Sequence, residues 1–270
     1  MANDHSKPLL HYESHGDPSA PPVVFLHGFM GSTCDWGEVI EHLSGTYYCI
    51  AVDLPGHGKS LNLADDDAYT PPGAATCVVR TMEHLHLIPA AVVGYSMGGR
   101  LALYLATHCK QVCSKLIVES ATAGIQTQTD RRTRQQADEK RARDLERGRF
   151  EEFLQTWYRQ PLFATLAEDP DKLERVIQQR RLNDPTELAR VLRGMGAGAQ
   201  APLWSHLPGL TMPVLLMAGE RDSNYVNIAG AMAKLLPHAV VEIVSGAGHN
   251  VHVENCPAVA ERIKRFLLKE

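Results

Sequence analysis

No two of the six cysteines (34, 49, 77, 109, 113 and 256) stand in a Cys-x-x-Cys pair, and they are scattered through apolar segments such as residues 47–52. That spacing disfavours a zinc site or a disulfide framework and suits buried free thiols in a reducing compartment, so a cytoplasmic location is expected. Charge of one sign is not in excess: 27 basic and 31 acidic residues leave a formal net charge of -4, without the electrostatic footprint of a nucleic-acid binder. Long hydrophobic runs are missing too. The longest stretch free of Asp, Glu, Lys and Arg, residues 194–219, is broken by Pro202, Pro208 and Pro213 and carries Gln200, Ser205 and His206, so no membrane span is expected. Residues 1–10 lack an apolar core, and no secretory signal is expected there. No Gly-x-Gly-x-x-Gly lies between a strand and a helix, which leaves a nicotinamide cofactor unsupported. Gly58-Lys59-Ser60 invites a phosphate-loop reading, but the first glycine of such a loop would have to stand where Asp53 does.

What is present fits one enlarged domain. The chain has 270 residues, 44% hydrophobic and 21% charged, enough to bury one large core. Short apolar runs rich in β-branched residues at 22–27, 47–53, 91–95, 115–119, 212–218 and 240–244 predict strands. Helical periodicity over 34–43, 74–85 and 97–109 separates several of them, and His11-Tyr12-Glu13 adds an antiparallel edge strand. Strands alternating with helices imply an α/β fold with a mostly parallel, doubly wound sheet covered on both faces. The alternation stops over 123–202, where only helix-like segments occur (131–147, 150–158, 171–181 and 187–195), separated by Pro161, Pro170 and Pro185. The expected organisation is therefore a core made of 1–122 and 203–270 with a helical cap inserted at 123–202. Of the 18 arginines, 13 fall in that insertion. Most are expected on its solvated surface.

Gly94-Tyr95-Ser96-Met97-Gly98 is a G-x-S-x-G sequence placed between a predicted strand and a predicted helix. Small residues at both ends permit a sharp turn that exposes a serine hydroxyl, the arrangement of a nucleophile elbow. An exposed serine needs a base, and the base needs an orienting carboxylate. His249 follows the last predicted strand in a glycine-rich turn, and Asp222 follows the strand before it. The candidate catalytic residues are thus Ser96, Asp222 and His249, with Glu119 as a competing acid and His252 as a competing histidine near the site. An oxyanion formed there would need preorganised N–H donors, expected from the backbone amides of Met97 and Phe29.

These residues resemble the α/β-hydrolase superfamily across essentially the whole chain, and one branch in detail. Leu26-His27-Gly28-Phe29-Met30-Gly31, the elbow continued by Gly99-Arg100, Val118-Glu119-Ser120, Trp157-Tyr158-Arg159-Gln160-Pro161-Leu162-Phe163, Gly219-Glu220-Arg221-Asp222-Ser223 and Gly248-His249-Asn250-Val251-His252 together resemble the 2-succinyl-6-hydroxy-2,4-cyclohexadiene-1-carboxylate synthases of menaquinone and phylloquinone biosynthesis. The resemblance implies an α/β-hydrolase fold with an inserted helical cap. It also implies a lyase that eliminates pyruvate from 2-succinyl-5-enolpyruvyl-6-hydroxy-3-cyclohexene-1-carboxylate, with the triad as a base system and no cofactor or metal. The implied partner is a small polycarboxylate, bound by Arg100, Arg134 and Arg180 with Tyr95 and Trp157 lining the pocket; Arg131, Arg132 and Arg181 are near neighbours of the two cap arginines. Two other readings stay open: a carboxylesterase or carbon–carbon bond hydrolase with Ser96 as covalent nucleophile, and a non-enzymatic ligand receptor on the same scaffold. An arginine-lined pocket separates the first from these, because an uncompensated guanidinium is costly beside an apolar ligand.

Overall fold

The computed structural model describes residues 8–269; residues 1–7, which include most of the segment read for a leader, and residue 270 lie outside it. Seven strands form one sheet: β1 (Tyr12–His15), β2 (Pro22–Leu26), β3 (Tyr48–Val52), β4 (Ala90–Tyr95), β5 (Cys113–Glu119), β6 (Val214–Gly219) and β7 (Ala239–Val244). Their order is β1-β3-β2-β4-β5-β6-β7, with β1 antiparallel to β3 and every other pairing parallel. Every strand found in the apolar runs is present, including the edge strand.

Both faces of the sheet are covered, and the alternation of side chains assigns each residue to a face. Val24 and Leu26 of β2, Ile50 and Val52 of β3 and Leu116 and Val118 of β5 pack with α2 (Pro71–His84), α3 (Met97–His108) and α8 (Ser223–Ala233). Val23 and Phe25, Cys49 and Ala51, and Ile117 turn the other way, onto α1 (Gly37–Leu43) and α10 (Cys256–Leu267). Between β5 and β6 run α4 (Gln128–Glu146), α5 (Phe150–Tyr158), α6 (Pro170–Arg180) and α7 (Pro185–Met195), which share an apolar cluster of their own that includes Leu145, Phe153, Phe163, Leu188 and Leu192. Among the described residues no helix is long and apolar enough to cross a membrane.

Helix boundaries differ from the periodicity because caps, not apolar residues, start the helices. The Thr70 hydroxyl accepts from the Gly73 amide ahead of Pro71, Thr127 does the same for Asp130, and Asp184 for Thr186 and Glu187 ahead of Pro185. The stretch 34–43 is a 3₁₀ turn over Thr33–Trp36 followed by α1 rather than one helix. Helices α8 and α10 lie outside the helical segments expected from the sequence, although Cys256, Val259, Ala260, Ile263 and Phe266 of α10 carry a helical repeat. One thiol departs from expectation: all six cysteines are free, but Cys34 is exposed while the other five are buried.

Candidate active site

The elbow forms as its glycines require. Ser96 adopts φ 49° and ψ -105°, outside the regions an L residue ordinarily occupies, between the last residue of β4 and the first of α3. A Cβ on Gly98 would collide with the carbonyl oxygens of Leu26 and His27, so only glycine lets α3 start this close to the end of β2. Two backbone bonds hold the turn: the Ser96 amide donates to the Glu119 carbonyl at 2.9 Å, and the Arg100 amide to the Ser96 carbonyl at 3.0 Å.

Ser96, His249 and Asp222 meet here although 27 and 153 residues separate His249 from its two partners. His249 Nδ1 lies 2.8 Å from Asp222 Oδ2, and His249 Nε2 lies 3.3 Å from Ser96 Oγ. Because a carboxylate only accepts, Nδ1–H donates to Asp222 and the lone pair of Nε2 is turned to the serine hydroxyl. Asp222 caps α8, taking the Tyr225 amide on its other oxygen at 3.3 Å, while the Tyr225 ring packs 4.6 Å from that of His249. Asp222 and His249 are both buried. Glu119 does not reach His249: its carboxylate bonds His252, with Nδ1 at 2.8 Å.

Facing Ser96 from the other side is the loop after β2. Among the described residues neither the Phe29 amide nor the Met97 amide has a hydrogen-bond partner, which leaves two donors open beside the hydroxyl. Gly28 passes directly under the Tyr95 ring, where a Cβ would come within 2.6 Å of Cε1. Two buried histidines fix this loop. His27 Nδ1 donates to the Gly28 carbonyl at 2.7 Å and Nε2 accepts from the Leu54 amide at 2.9 Å; His57 Nδ1 donates to the Pro55 carbonyl at 3.0 Å and Nε2 accepts from the Met30 amide at 3.1 Å. Burial is the largest influence on both. It lowers the His27 pKa and, with His27 nearby, places that of His57 well below its ordinary 6.5. The folded chain therefore refuses protons that the unfolded chain takes up below about pH 6.5. Stability contributed by these neutral rings is present above that pH and is lost as pH falls, by up to about 1.4 kcal/mol per pH unit for each histidine. Urea titrations at pH 7.0 and 5.5 should show this loss, and the pH slope should fall by about one proton in His57→Gln. Equal slopes in the two proteins would contradict it.

The cleft above Ser96 is lined by four arginines, of which Arg100, Arg134 and Arg180 were expected and Arg141 was not. Their surroundings differ. Arg180 is buried and doubly paired with Asp35, at 2.6 and 2.9 Å, while its Nε donates to the Tyr158 hydroxyl at 3.2 Å. Burial opposes its charge, but Asp35 and Tyr158 outweigh burial and the net shift is upward. Arg134 and Arg141 share the carboxylate of Asp138 at 2.9 and 3.0 Å, and Arg141 also sits over the Trp157 ring at 5.5 Å. Among the described residues Arg100 has no acidic hydrogen-bond partner: it donates to Gln200 Oε1 at 2.9 Å and to the Met195 carbonyl at 2.8 Å. Burial pulls its pKa down to about 10, with Arg134 adding to the shift, so the group stays cationic at neutral pH. Arg131 and Arg181 are not among the lining residues, and Arg181 pairs with Glu151 and Glu174 at the surface. Tyr95 and Trp157 do line the cleft. Burial, followed by the nearby Glu119, raises the Tyr95 phenol well above its ordinary value.

Arg141 was legible in principle. It lies seven residues after Arg134 on one helix, with Asp138 between them, a spacing that puts all three on one face. Tyr225 and Asn250, which also line the cleft, carry no comparable signal.

Residues 21–255 match the family model described as alpha/beta hydrolase fold. The chain is 35% identical, over 93% of its length and 92% of the relative's, to a protein of Bacillus subtilis (strain 168) provisionally named 2-succinyl-6-hydroxy-2,4-cyclohexadiene-1-carboxylate synthase. It is 31% identical, over 96% of its length and 99% of the relative's, to the synthase of that name from Escherichia coli O1:K1 / APEC. Among solved structures it is similar to MenH from S. aureus, with a TM-score of 0.91 and 33% identity, covering 95% of this chain and 97% of that one.

Proposed function

The chain belongs to the 2-succinyl-6-hydroxy-2,4-cyclohexadiene-1-carboxylate synthase family of the alpha/beta hydrolase fold, and from that premise we propose that it is a carbon–oxygen lyase of menaquinone biosynthesis. Its substrate is 2-succinyl-5-enolpyruvyl-6-hydroxy-3-cyclohexene-1-carboxylate, from which it eliminates pyruvate. The observation that carries this reading is Arg100: a desolvated guanidinium beside Ser96 with only neutral oxygens as partners, in a cleft whose other three arginines, Arg134, Arg141 and Arg180, are bonded to just two carboxylates, Asp138 and Asp35. Such a cleft suits a ligand that brings its own negative charge, and this substrate carries three carboxylates.

In the proposed reaction His249 Nε2 takes the Ser96 proton, and the imidazolium is held by Asp222. Ser96 Oγ then removes the ring hydrogen next to the succinyl carbonyl, a proton acidified by that carbonyl. The enolate oxygen is received by the amides of Phe29 and Met97. Its electron pair moves through the ring double bond and expels the enolpyruvyl oxygen from carbon 5, leaving the 2,4-diene. The departing enol is protonated through His249 and tautomerises to pyruvate. No covalent intermediate on Ser96 is needed.

A hydrolase with the same triad would form an acyl-enzyme. Neutral p-nitrophenyl esters, which offer nothing to Arg100, Arg134, Arg141 or Arg180, should therefore be turned over poorly, without a burst, and hydroxylamine should intercept nothing. A burst equal to the enzyme concentration, together with no pyruvate from the enolpyruvyl substrate, would overturn the lyase reading in favour of an esterase.

A further inference from the structure

Behind the elbow lies a second carboxylate–histidine pair that the proposed reaction does not use. Glu119 and His252 are both buried, and Glu119 Oε1 accepts from His252 Nδ1 at 2.8 Å and from the His252 amide at 3.1 Å. Its other oxygen has no partner among the described residues. Stability alone is a poor reason for such a pair, because an apolar pair of similar volume would serve as well or better. Its position is more telling. The Glu119 carbonyl holds the Ser96 amide, so backbone and side chain of one residue reach the serine and, through His252, the segment that carries His249.

The link continues beyond His252. α9 (Val251–Glu254) is a single turn that follows His249 by one residue. Its Glu254 carboxylate reaches back to accept from the Gly248 amide at 2.8 Å and the Asn250 amide at 3.1 Å, gripping the chain on either side of His249. The His252 ring is itself clamped, stacked on Trp36 at 4.3 Å and edge-on to Tyr95 at 4.8 Å. Tyr95 in turn lies 5.5 Å from the His249 ring.

We propose that Glu119 is a positioning residue for the reactive pair: through His252 and Glu254 it ties the turn bearing His249 to the strand end that holds Ser96, and so sets the distance between Nε2 and Oγ. The proposal rests on the reading of Ser96 and His249 as the reactive pair, but not on the identity of the substrate. An ångström of misplacement in such a pair can cost on the order of a hundredfold in rate.

The test uses the full chain and a small neutral alkyl fluorophosphonate, which labels Ser96 only if His249 activates it and which needs no arginine. Glu119→Gln keeps the oxygen that both His252 donors use and should label within about threefold of the wild-type rate. Glu119→Ala should label about ten- to a hundredfold more slowly at a temperature well below its Tm. In the pyruvate assay Glu119→Ala should show the same loss in kcat, with KM within about twofold, because the arginines are untouched. Glu254→Ala, which removes a partly exposed side chain and leaves β5 intact, should label about tenfold more slowly and keeps the test decisive if Glu119→Ala does not fold. Wild-type labelling by Glu254→Ala, or by a folded Glu119→Ala whose Tm alone has dropped, would overturn the proposal. So would Glu119→Gln labelling as slowly as Glu119→Ala, since that would make charge rather than geometry the cause. Normal labelling dependence on Glu119 with no pyruvate release from any variant would refute the lyase reading and leave this one standing.

Discussion

Replacing Ser96 or His249 by alanine is expected to lower kcat for pyruvate release by on the order of a thousandfold or more, and replacing both should cost scarcely more than either alone. The reason is the 2.8 and 3.3 Å contacts that make the three side chains one relay. Once the serine is gone the histidine has no hydroxyl to activate, and once the histidine is gone the serine stays protonated; members of such a unit are strongly non-additive. Asp222→Asn should also be severe, because an amide at that position no longer enforces the tautomer that leaves Nε2 free to accept. Steady-state kinetics of the single and double variants check this, and losses that multiply in the double variant would contradict a shared relay.

The second large effect is expected at the arginines, and the structure separates them. Arg100→Ala should lower kcat/KM by about ten- to a hundredfold, equivalent to the roughly 1.5 to 3 kcal/mol of one lost charge-assisted contact, with little loss of stability, because the group forgone was paired only with neutral oxygens. Arg134→Ala should lower kcat/KM by a similar factor; it takes one partner from the buried Asp138, but Arg141 still holds that carboxylate at 3.0 Å, so its stability cost should lie between those of Arg100→Ala and Arg180→Ala. Arg180→Ala should be the most destabilising of the three: it strands the buried Asp35 carboxylate, a change that typically costs about 3 to 5 kcal/mol, so its kinetics must be read per folded molecule. Arg149→Ala, an exposed cap residue paired with Asp144 at 3.4 Å, serves as the control. If Arg100→Ala and Arg134→Ala behave like that control, the carboxylate-binding assignment is wrong.

The strands and the triad candidates were legible because their signals are local. A buried parallel strand is a near-continuous apolar run, as in Val23–Leu26 or Leu116–Val118, and an elbow is a five-residue pattern whose glycines have steric reasons to be there. Asp222 and His249 could be picked because each follows such a run in a turn, at the strand ends where sites of this architecture gather. What stayed hidden is what only packing decides. Glu119 and His252 looked in sequence like rivals of Asp222 and His249, and nothing in their spacing tells that they pair with each other instead. Arg180 was assigned to the ligand by motif position, yet its bidentate partner, Asp35, lies 145 residues away. Helix starts were missed for the opposite reason: the capping threonines and aspartates are polar, and apolar periodicity is blind to them.

The central claim is that Ser96 removes a ring proton rather than attacking a carbonyl. It is tested most directly with substrate carrying deuterium on the ring carbon next to the succinyl carbonyl, by counting deuterium in the product against pyruvate released. One deuterium lost from that carbon for each pyruvate formed, with the cyclohexadiene chromophore appearing in equal amount and both absent in Ser96→Ala, is the expected result. Pyruvate released while the deuterium stays on the ring, or released undiminished by Ser96→Ala, would contradict it.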